Sequence, residues 1–346
     1  MYEPNSLLTT PSAGAYLTLI ELCNKNKKFD PELLETVLAQ ARQLSHQIER
    51  QKSIYYQQLV DLGVPIPRYQ VYNSLAELGK IAHAPCVVKM DAFCNGLQTQ
   101  LIKSNQDFKE LFRNFKVLFN EHTTSTTGVV QEFIKGNEFT VMVLVGKHNW
   151  QPIGSAQDYK REFDNNRGRN TYGMGSIAPA NVTGETYDII NTIVDVFKKE
   201  YNYIGFLSCQ FIVDSDNKTW LLECNNRLCD PEFQSVAPGL DSTVFDQIKQ
   251  AFTGKVIDTV YNKNRNAVTV SLVHQDWPIG TAKPDIVIPD SDFVFCKFPG
   301  SNDIHTYYGS FTNSGDKSHK ELAQELYDFL YTFDTAPYRY RTDIGF

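Results

Sequence analysis

Apolar residues along the first part of the chain recur at helical spacing. Asp30-Pro31-Glu32 supplies an N-cap carboxylate, a proline at the first helical position and an acid in the first turn, a helix-start pattern. Leu34, Leu38, Ala41, Leu44 and Ile48 then repeat every three or four residues. The pattern continues through Ile54, Leu59 and Leu62 to Gly63, a C-cap candidate, and Pro65 and Pro67 forbid continuation. The spacing predicts a mostly helical region whose apolar stripe needs cover, within the chain or on a second copy.

From Tyr69 the period shortens to that of strands. YQVY, APCVVKM, TGVVQEFI and EFTVMVLV alternate with one helix-like stretch, Asn105 to Phe119. Asp158 to Asn181, rich in Gly, Asn and Arg, reads as a long loop, and loops of that length are usually functional. An amphipathic helix follows around Tyr187 to Tyr201. FLSCQFIVD and TWLLECNN then form a hairpin across Ser215-Asp216-Asn217. A helix near Asp241 to Thr253, strands at AVTVSLV, DIVI and DFVFCKF, and a helix from His319 to Phe333 complete an α+β chain.

A chain of 346 residues is long enough for two or three domains. With 33 Lys plus Arg against 40 Asp plus Glu, its net charge of −7 gives no global attraction to nucleic acid or an anionic membrane. No apolar run reaches the roughly 20 residues of a membrane span, and MYEPNSLLTT lacks the features of a secretory signal, so a cytoplasmic location is expected. The seven cysteines are odd in number and read as reduced thiols; Cys224 and Cys229 lack a metal-ligand spacing.

Candidate chemistry concentrates at one strand end. Glu223 and Asn225, two apart, share a face, and two oxygens aimed together suit a hard cation such as magnesium. Alone, such a pair reads more readily as a solvated strand terminus. Arg227, two further on, is either a cation placed for a transferring phosphoryl group or a surface partner of Asp230 or Glu232. Lys89 ends the apolar run PCVVK as a compact charge suited to phosphate, and Lys52 is a second such candidate.

Two blocks carry a resemblance. AQDYKREFDNNRGRNTYGMGSIAP, Ala156 to Pro179, resembles the pattern AQDxKR…GxNTGGMGxxxP, and LLECNNRLCDPEFQ, Leu221 to Gln234, resembles EFNxRFGDPExQ. GVPIP is similar to GIPTA, VVKMD to VIKAD, VVQEFIKGNEFTV to VIEEFLxGEExS, and the ending YRYRTDIGF to YRxDIG. From about Lys52 onward the chain therefore resembles the ATP-grasp superfamily and, within it, the glycinamide ribonucleotide synthetases (phosphoribosylamine-glycine ligases).

The resemblance implies an ATP-grasp fold, two α+β subdomains clasping ATP, at 63–127 and 128–254. A helical segment, 1–62, and a small β-rich C-terminal domain, 255–346, would flank them. It implies ATP and magnesium, or manganese, as cofactors. Lys52 and Lys89 would hold phosphates, the backbone of Gln131, Glu132, Phe133 and Ile134 the adenine, and Glu138 the ribose, with Gln157 and Asp158 nearby. Glu223 and Asn225 would bind the metal, with Gln210 at a position where many relatives carry a further acid. Arg227, Lys160, Arg161 and Asp230 would be catalytic, and Asn170, Thr171, Gly173, Met174 and Gly175 would bind substrate. The implied chemistry phosphorylates a carboxylate and lets an amine attack the acyl phosphate.

Four departures point to altered substrates. About sixty mostly helical residues stand where the synthetases carry about a hundred of α/β fold. DAFCNGLQT, with Phe93, Cys94 and Leu97, replaces DGLAAGKGV; CKFPGSND and YYGSFTNSG replace FHAGT and GGRVL; and Tyr172 replaces a glycine. The expectation is a carboxylate-amine ligase acting on small molecules, with a homodimer through the N-terminal helices as one possibility for the stripe. An authentic phosphoribosylamine-glycine ligase and a non-catalytic nucleotide-binding protein are the alternatives.

Overall fold

A computed structural model describes residues 12–26, 28, 30–48, 51–91, 98–121, 127–262, 264–278, 285–298 and 307–346. Helices α1 (Ala13–Lys25), α2 (Pro31–Ile48) and α3 (Lys52–Asp61) open it. The predicted start of α2 is real: the Asp30 carboxylate accepts from the Glu32 and Leu33 N–H groups at 3.1 and 3.2 Å. The predicted run to Gly63 is broken, since Gln51 takes a non-helical φ of −132° and α3 begins afresh. The break gives the two parts of the stripe different cover. Leu34, Val37 and Leu38 join one core with α1, whereas Leu44, Ile48, Tyr55, Tyr56 and Leu59 join another. Most of the stripe is thus buried within the chain, while Ile54 and Leu62 stay exposed.

Next come β1 (Tyr69–Tyr72), α4 (Leu75–Ile81), β2 (Cys86–Met90), β3 (Thr99–Ile102), α5 (Asn105–Glu121) and β4 (Gly128–Glu132). They form an antiparallel sheet of order β1-β4-β2-β3. Residues past 127 complete it, because β4 lies between β1 and β2. Leu78 of α4 and Leu111 of α5 pack with Val88, Met90 and Ile102 on one face. Val87 and Lys89, alternating with these, turn to the other.

The chain continues through β5 (Gly136–Val145), β6 (Trp150–Asp158), β7 (Arg161–Phe163), β8 (Arg167–Asn170), β9 (Gly175–Ala178), α6 (Gly184–Tyr201), β10 (Gly205–Asp214), β11 (Thr219–Asn225), α7 (Glu232–Val236) and α8 (Val244–Thr253). It ends with β12 (Asn266–His274), β13 (Val294–Lys297), β14 (Tyr307–Gly315), α9 (His319–Leu330) and β15 (Tyr338–Arg339). A second sheet runs β11-β10-β5-β6-β9-β12-β14-β13, with β15 on β12. This is the α+β ATP-grasp architecture, and no described helix is long and apolar enough to cross a membrane.

Two sequence expectations need correction. The segment 158–181 is not a loop: β7 and β8 pair with each other, and β9 joins β6 to β12. DIVI forms no strand; there Tyr308 Oη instead meets the backbone of Ile286, donating to its carbonyl at 3.2 Å. YYGSFTNSG, by contrast, is the long strand β14, paired with β12 from end to end.

The β6-β9-β12 join depends on Gly175. Its φ is +149°, and a Cβ there would overlap the Thr269 carbonyl oxygen and the Ile344 side chain. Gly175→Ala is expected to cost about 3 kcal/mol or more, by strain and overpacking together. Chemical denaturation would read this as a lower midpoint at unchanged slope.

Candidate active site

The two sheets face each other across a cavity of about 370 Å³. Strand alternation presents Val87 and Lys89 of β2, Thr99 and Leu101 of β3 and Gln131 of β4 from one side. Glu138 of β5, Gln157 and Asp158 of β6, Gln210 and Ile212 of β10, and Glu223 and Asn225 of β11 line the other. Lys52 opens α3, Glu232 opens α7, and Lys160, Arg161, Asn170, Thr171 and Tyr172 come from the segment between β6 and β9.

Lys89 is buried, and its ammonium donates to Tyr56 Oη at 2.9 Å and the Leu222 carbonyl at 2.8 Å. Burial pushes its pKa down to about 8; Glu223 opposes this, while Lys52 and Lys160 add to it. Burial likewise disfavours the ionised form of Glu223, but Lys89, Lys160, Lys52 and Arg227 outweigh it and hold the carboxyl below its ordinary value. Lys160 donates to Gln210 Oε1 at 2.5 Å and Glu138 Oε2 at 3.3 Å. Burial disfavours its charge, yet Glu138, Asp158, Glu223 and Glu232 carry its pKa above the ordinary value.

A pair of acids behaves oppositely. Burial first, then the Glu232 charge, raises Asp158 well above the usual carboxylate range. Burial raises Glu232 to about 7, although Thr140 donates to its Oε1 at 3.2 Å. Asp158 Oδ1 and Glu232 Oε2 accept no hydrogen bond from the described residues.

Arg227 is 8% exposed, which excludes the surface-pair reading. Its guanidinium donates to Ser12 Oγ, the Leu228 carbonyl at 3.3 Å and Asn225 Oδ1 at 3.4 Å. Asp230 accepts from Gln234 Nε2 at 2.6 Å, Tyr172 Oη at 3.3 Å and the Ala15 N–H. Burial raises its pKa to about 6 despite these donors. Tyr172 Oη and Ser12 Oγ also lie 3.0 Å apart, within hydrogen-bond distance. The N-terminus of α1 therefore closes the end of the cavity that holds Asp230.

The cavity brings together most of the expected residues and leaves others out. Glu132, Phe133 and Ile134 all line the cavity, the Glu132 carboxylate being tied to Arg68, whose N–H and Nε each donate at 2.9 Å. Arg161 donates to Asn170 Oδ1 at 2.9 Å. Gly173, Met174 and Gly175 lie behind the lining: Met174 is core, and a Cβ on Gly173 would run into Pro231. Of the segment Asp91 to Thr99, residues 92–97, with Phe93, Cys94 and Leu97, lie outside the described residues. Ser12 carried no sequence signal as a site residue. Val87 did carry one, two residues before Lys89 on the same strand face.

For magnesium, the donors fit an ion that completes its shell with substrate phosphates. Glu223 is held ionised and Asn225 Oδ1 lies on the same strand face. No cluster of three or more His, Cys, Asp or Glu among the described residues makes a self-sufficient cage. Gln210 faces Glu223 in the β10/β11 register, but its oxygen is bonded to the Lys160 ammonium. That contact occupies one of the two lone pairs of the amide oxygen, as the Arg227 guanidinium does for Asn225 Oδ1.

The family model described as Phosphoribosylglycinamide synthetase, ATP-grasp (A) domain, matches residues 51–233. A phosphoribosylamine-glycine ligase of Leptospira interrogans is 26% identical over 332 residues, 87% of this chain and 75% of the relative. One from Neisseria meningitidis is 28% identical, over 71% of this chain and 60% of the relative. Among solved structures, a phosphoribosylamine-glycine ligase of Thermotoga maritima superposes with a TM-score of 0.71 at 22% identity, covering 84% of this chain and 78% of that one. An N5-carboxyaminoimidazole synthetase from Staphylococcus aureus, complexed with ADP, gives 0.56 at 17%, covering 80% and 69%. These superpositions establish the fold.

Two measurements probe the charge arrangement. Phosphate oxygens beside Lys89 favour its charged form, so at pH 8, where the free protein carries this group partly deprotonated, ATP binding should take up protons, and at pH 6.5 much less. Calorimetry in buffers of different ionisation enthalpy measures this. Glu232 has a folded pKa raised above its unfolded value, so the folded state binds the extra proton and stability falls as pH rises from about 4.5 to 7. Glu232→Gln keeps the acceptor for Thr140 and removes the titration. It should stabilise the protein at pH 8 by up to about 3 kcal/mol, with the gain shrinking towards pH 5 in thermal melts.

Proposed function

The chain belongs to the phosphoribosylglycinamide synthetase ATP-grasp family, and from that premise we propose that it is an ATP-dependent carboxylate-amine ligase. One observation carries the proposal: Lys52, Lys89, Lys160 and Arg227 surround an ionised Glu223 inside the cavity between the sheets. A cationic, water-poor cleft is what bringing the γ-phosphate of ATP together with a second anion requires.

In this reading a carboxylate oxygen of the acid forms a bond to the γ-phosphorus, the β,γ-bridging P–O bond breaks, and ADP departs. An amine nitrogen then bonds to the acyl carbon, phosphate leaves with the electrons of the C–O bond, and the amine gives up a proton. Lys52 and Lys89 bind phosphate oxygens; Lys160, fixed by Gln210 and Glu138, and Arg227, fixed by Ser12, neutralise the charge gathering between the reactants. Arg161, beside Asn170 and Thr171, lies on the acid side. Glu223 and Asn225 would hold magnesium, which when bound supplies further neutralisation of the phosphates.

The substrate side supports substrates different from those of the relatives. Tyr172, Ser12 and the start of α1 fill the ground around Asp230, and the tyrosine ring packs 6.4 Å from Phe298 and 6.3 Å from Tyr307. Phosphoribosylamine-glycine ligase activity is the second reading, favoured by the names and coverage of the relatives. A homodimer through the N-terminal helices would have Ile54, Val60 and Leu62 to use, which stay exposed while most of the apolar stripe is buried in the chain's own cores.

Hydroxylamine traps an acyl phosphate whatever the natural amine. With ATP, magnesium and a panel of amino acids and other carboxylates, hydroxamate should form with at least one acid, and Glu223→Ala should lower the rate about 100-fold or more. Undiminished turnover in that variant removes Glu223 from the mechanism. Amide formation from glycine and phosphoribosylamine would move the assignment to the second reading. ATP binding without hydroxamate from any acid would favour a non-catalytic protein.

A further inference from the structure

Amide formation takes a proton from the attacking amine, and none of the residues assigned so far receives it. Two buried acids of the cavity, Asp158 and Glu232, are likewise without a task. Glu232 is 1% exposed and lines the cavity; its Oε1 accepts from Thr140, and its Oε2 has no hydrogen-bond partner among the described residues. A buried carboxyl oxygen left without a donor is costly, which makes it an acceptor in want of a ligand N–H. Asp158 Oδ1 is in the same condition and lies along the same wall: a Cβ built on Gly173 would stand 3.3 Å from it and 2.3 Å from Pro231, the residue before Glu232.

The sheet register says where along the reaction these oxygens stand. Gln210 of β10 lies opposite Glu223 on one side and Thr140 on the other. Neighbouring strands are about 4.8 Å apart, so Thr140, whose hydroxyl holds Glu232, stands two strands, roughly 10 Å, from Glu223. Lys160 lies across that interval, bonding Gln210 of β10 and Glu138 of β5. The order across the sheet is the candidate metal carboxylate, a cation, then the orphaned carboxyls. The reaction has the same order: phosphate, the acyl group on which charge gathers, then the amine.

The groups around Glu232 suit a base. β6 brings Asp158 and, just beyond it, Lys160; β5 brings Glu138; Asp230 precedes α7; and Arg341 acts on Asp158. Of the other elements packed on α7, β9 supplies the Ser176 hydroxyl, β12 and β14 the bonded pair Ser271 and Tyr307, and α1 Glu21, whose charge meets Lys25. Burial brings Glu232 to about 7, where a base is ionised often enough to act and basic enough to hold a proton at neutral pH.

We propose that Glu232 is the general base of the amide-forming step, with Asp158 completing an acceptor pair for the incoming ammonium. The amine arrives as an ammonium and gives one proton to Glu232 Oε2. Its freed lone pair forms the C–N bond, the acyl C–O bond breaks with its electrons on phosphate, and phosphate takes the second nitrogen proton. Glu232 then passes its proton to water. The inference rests on the proposed ligase reading and holds whichever acid is joined.

The test lets two nucleophiles of similar size compete for one acyl phosphate. At pH 7 hydroxylamine is mostly free base and hydrazine mostly protonated, so hydrazine is the one that needs a base. The full chain is given ATP, magnesium, an acid that yields hydroxamate, and equal amounts of the two nucleophiles, and mass spectrometry reads the ratio of hydrazide to hydroxamate. Both products come from one intermediate, so the ratio does not depend on how fast that intermediate forms. At pH 7 the wild-type ratio should exceed that of Glu232→Gln at least about tenfold, and the variant's ratio should rise with pH as hydrazine loses its proton. A merely structural role would lower both products together and leave the ratio unmoved. Free acetyl phosphate in the same mixture gives a base-free reference, which the wild type should exceed by the same factor; this covers the case in which the variant does not fold, as judged by its thermal melt. Equal ratios in the wild type and the folded variant, or a wild-type ratio equal to that of acetyl phosphate, overturn the role of Glu232 and leave the ligase reading standing. No hydroxamate from any acid would sink both.

Discussion

The site depends on a balance of buried charge. Lys89 and Arg227 are buried and Lys160 and Glu223 half-buried, in surroundings where an unpaired ion is expensive and tends to lose its charge instead. Glu223 stays ionised because four cations surround it, and Lys89 retains much of its charge because Glu223, Tyr56 and a backbone carbonyl attend it. Asp158 and Glu232, in the same cavity, are pushed the other way and favour the proton near neutral pH. Their neutrality leaves the cations in excess. The raised pKa values of these two acids tilt the balance of the lining towards its cations, which suits the binding of phosphate groups.

That excess ties together segments far apart in the chain. Lys89 draws on α3 through Tyr56 and on β11 through the Leu222 carbonyl; Lys160 bridges β5 and β10; Arg227 reaches Ser12. Ser12 precedes the family-matched segment, holds a left-handed φ of 64° and is wholly buried. A serine accepts such backbone strain only where its surroundings fix it, and here both Arg227 and Tyr172 bond its hydroxyl. The N-terminal helices thus contribute to the site as well as covering the core.

The strands that carry the chemistry were legible because each combines period-two alternation with a charged terminus, as in PCVVK and LLECN. Glu223 and Asn225 share a face as their spacing requires, and the hairpin turns where Ser215-Asp216-Asn217 predicts, with Asn217 left-handed at φ 60°. The helix break near Gln51 was hidden because the apolar spacing runs through it. β9 was hidden because its glycine and serine pair by backbone alone, with no apolar alternation to show it. β14 looked polar because Thr312 bonds Thr269 across the sheet, satisfying a hydroxyl that sequence alone assigns to solvent. The role of Gln210 depended on a lysine arriving from β6's far end, a contact that no local pattern encodes.

In the proposed reading, nucleotide handling and substrate selection draw on different parts of the chain. The residues proposed to meet phosphate, from Lys52 to Arg227, fall within the family-matched segment 51–233. The closed end at Asp230 is shaped from outside it, by Ser12 and α1 before and by Phe298 and Tyr307 after. Tyr172, where the family pattern has glycine, is the pivot between them: its hydroxyl bonds Ser12 and Asp230, and its ring is wedged against Phe298 and Tyr307. Removing it would leave buried polar partners unmatched and a void among the rings, each costly in a packed interior. The closed end is therefore held mainly by ring packing around Tyr172, with Ser12 as the link that joins it to Arg227.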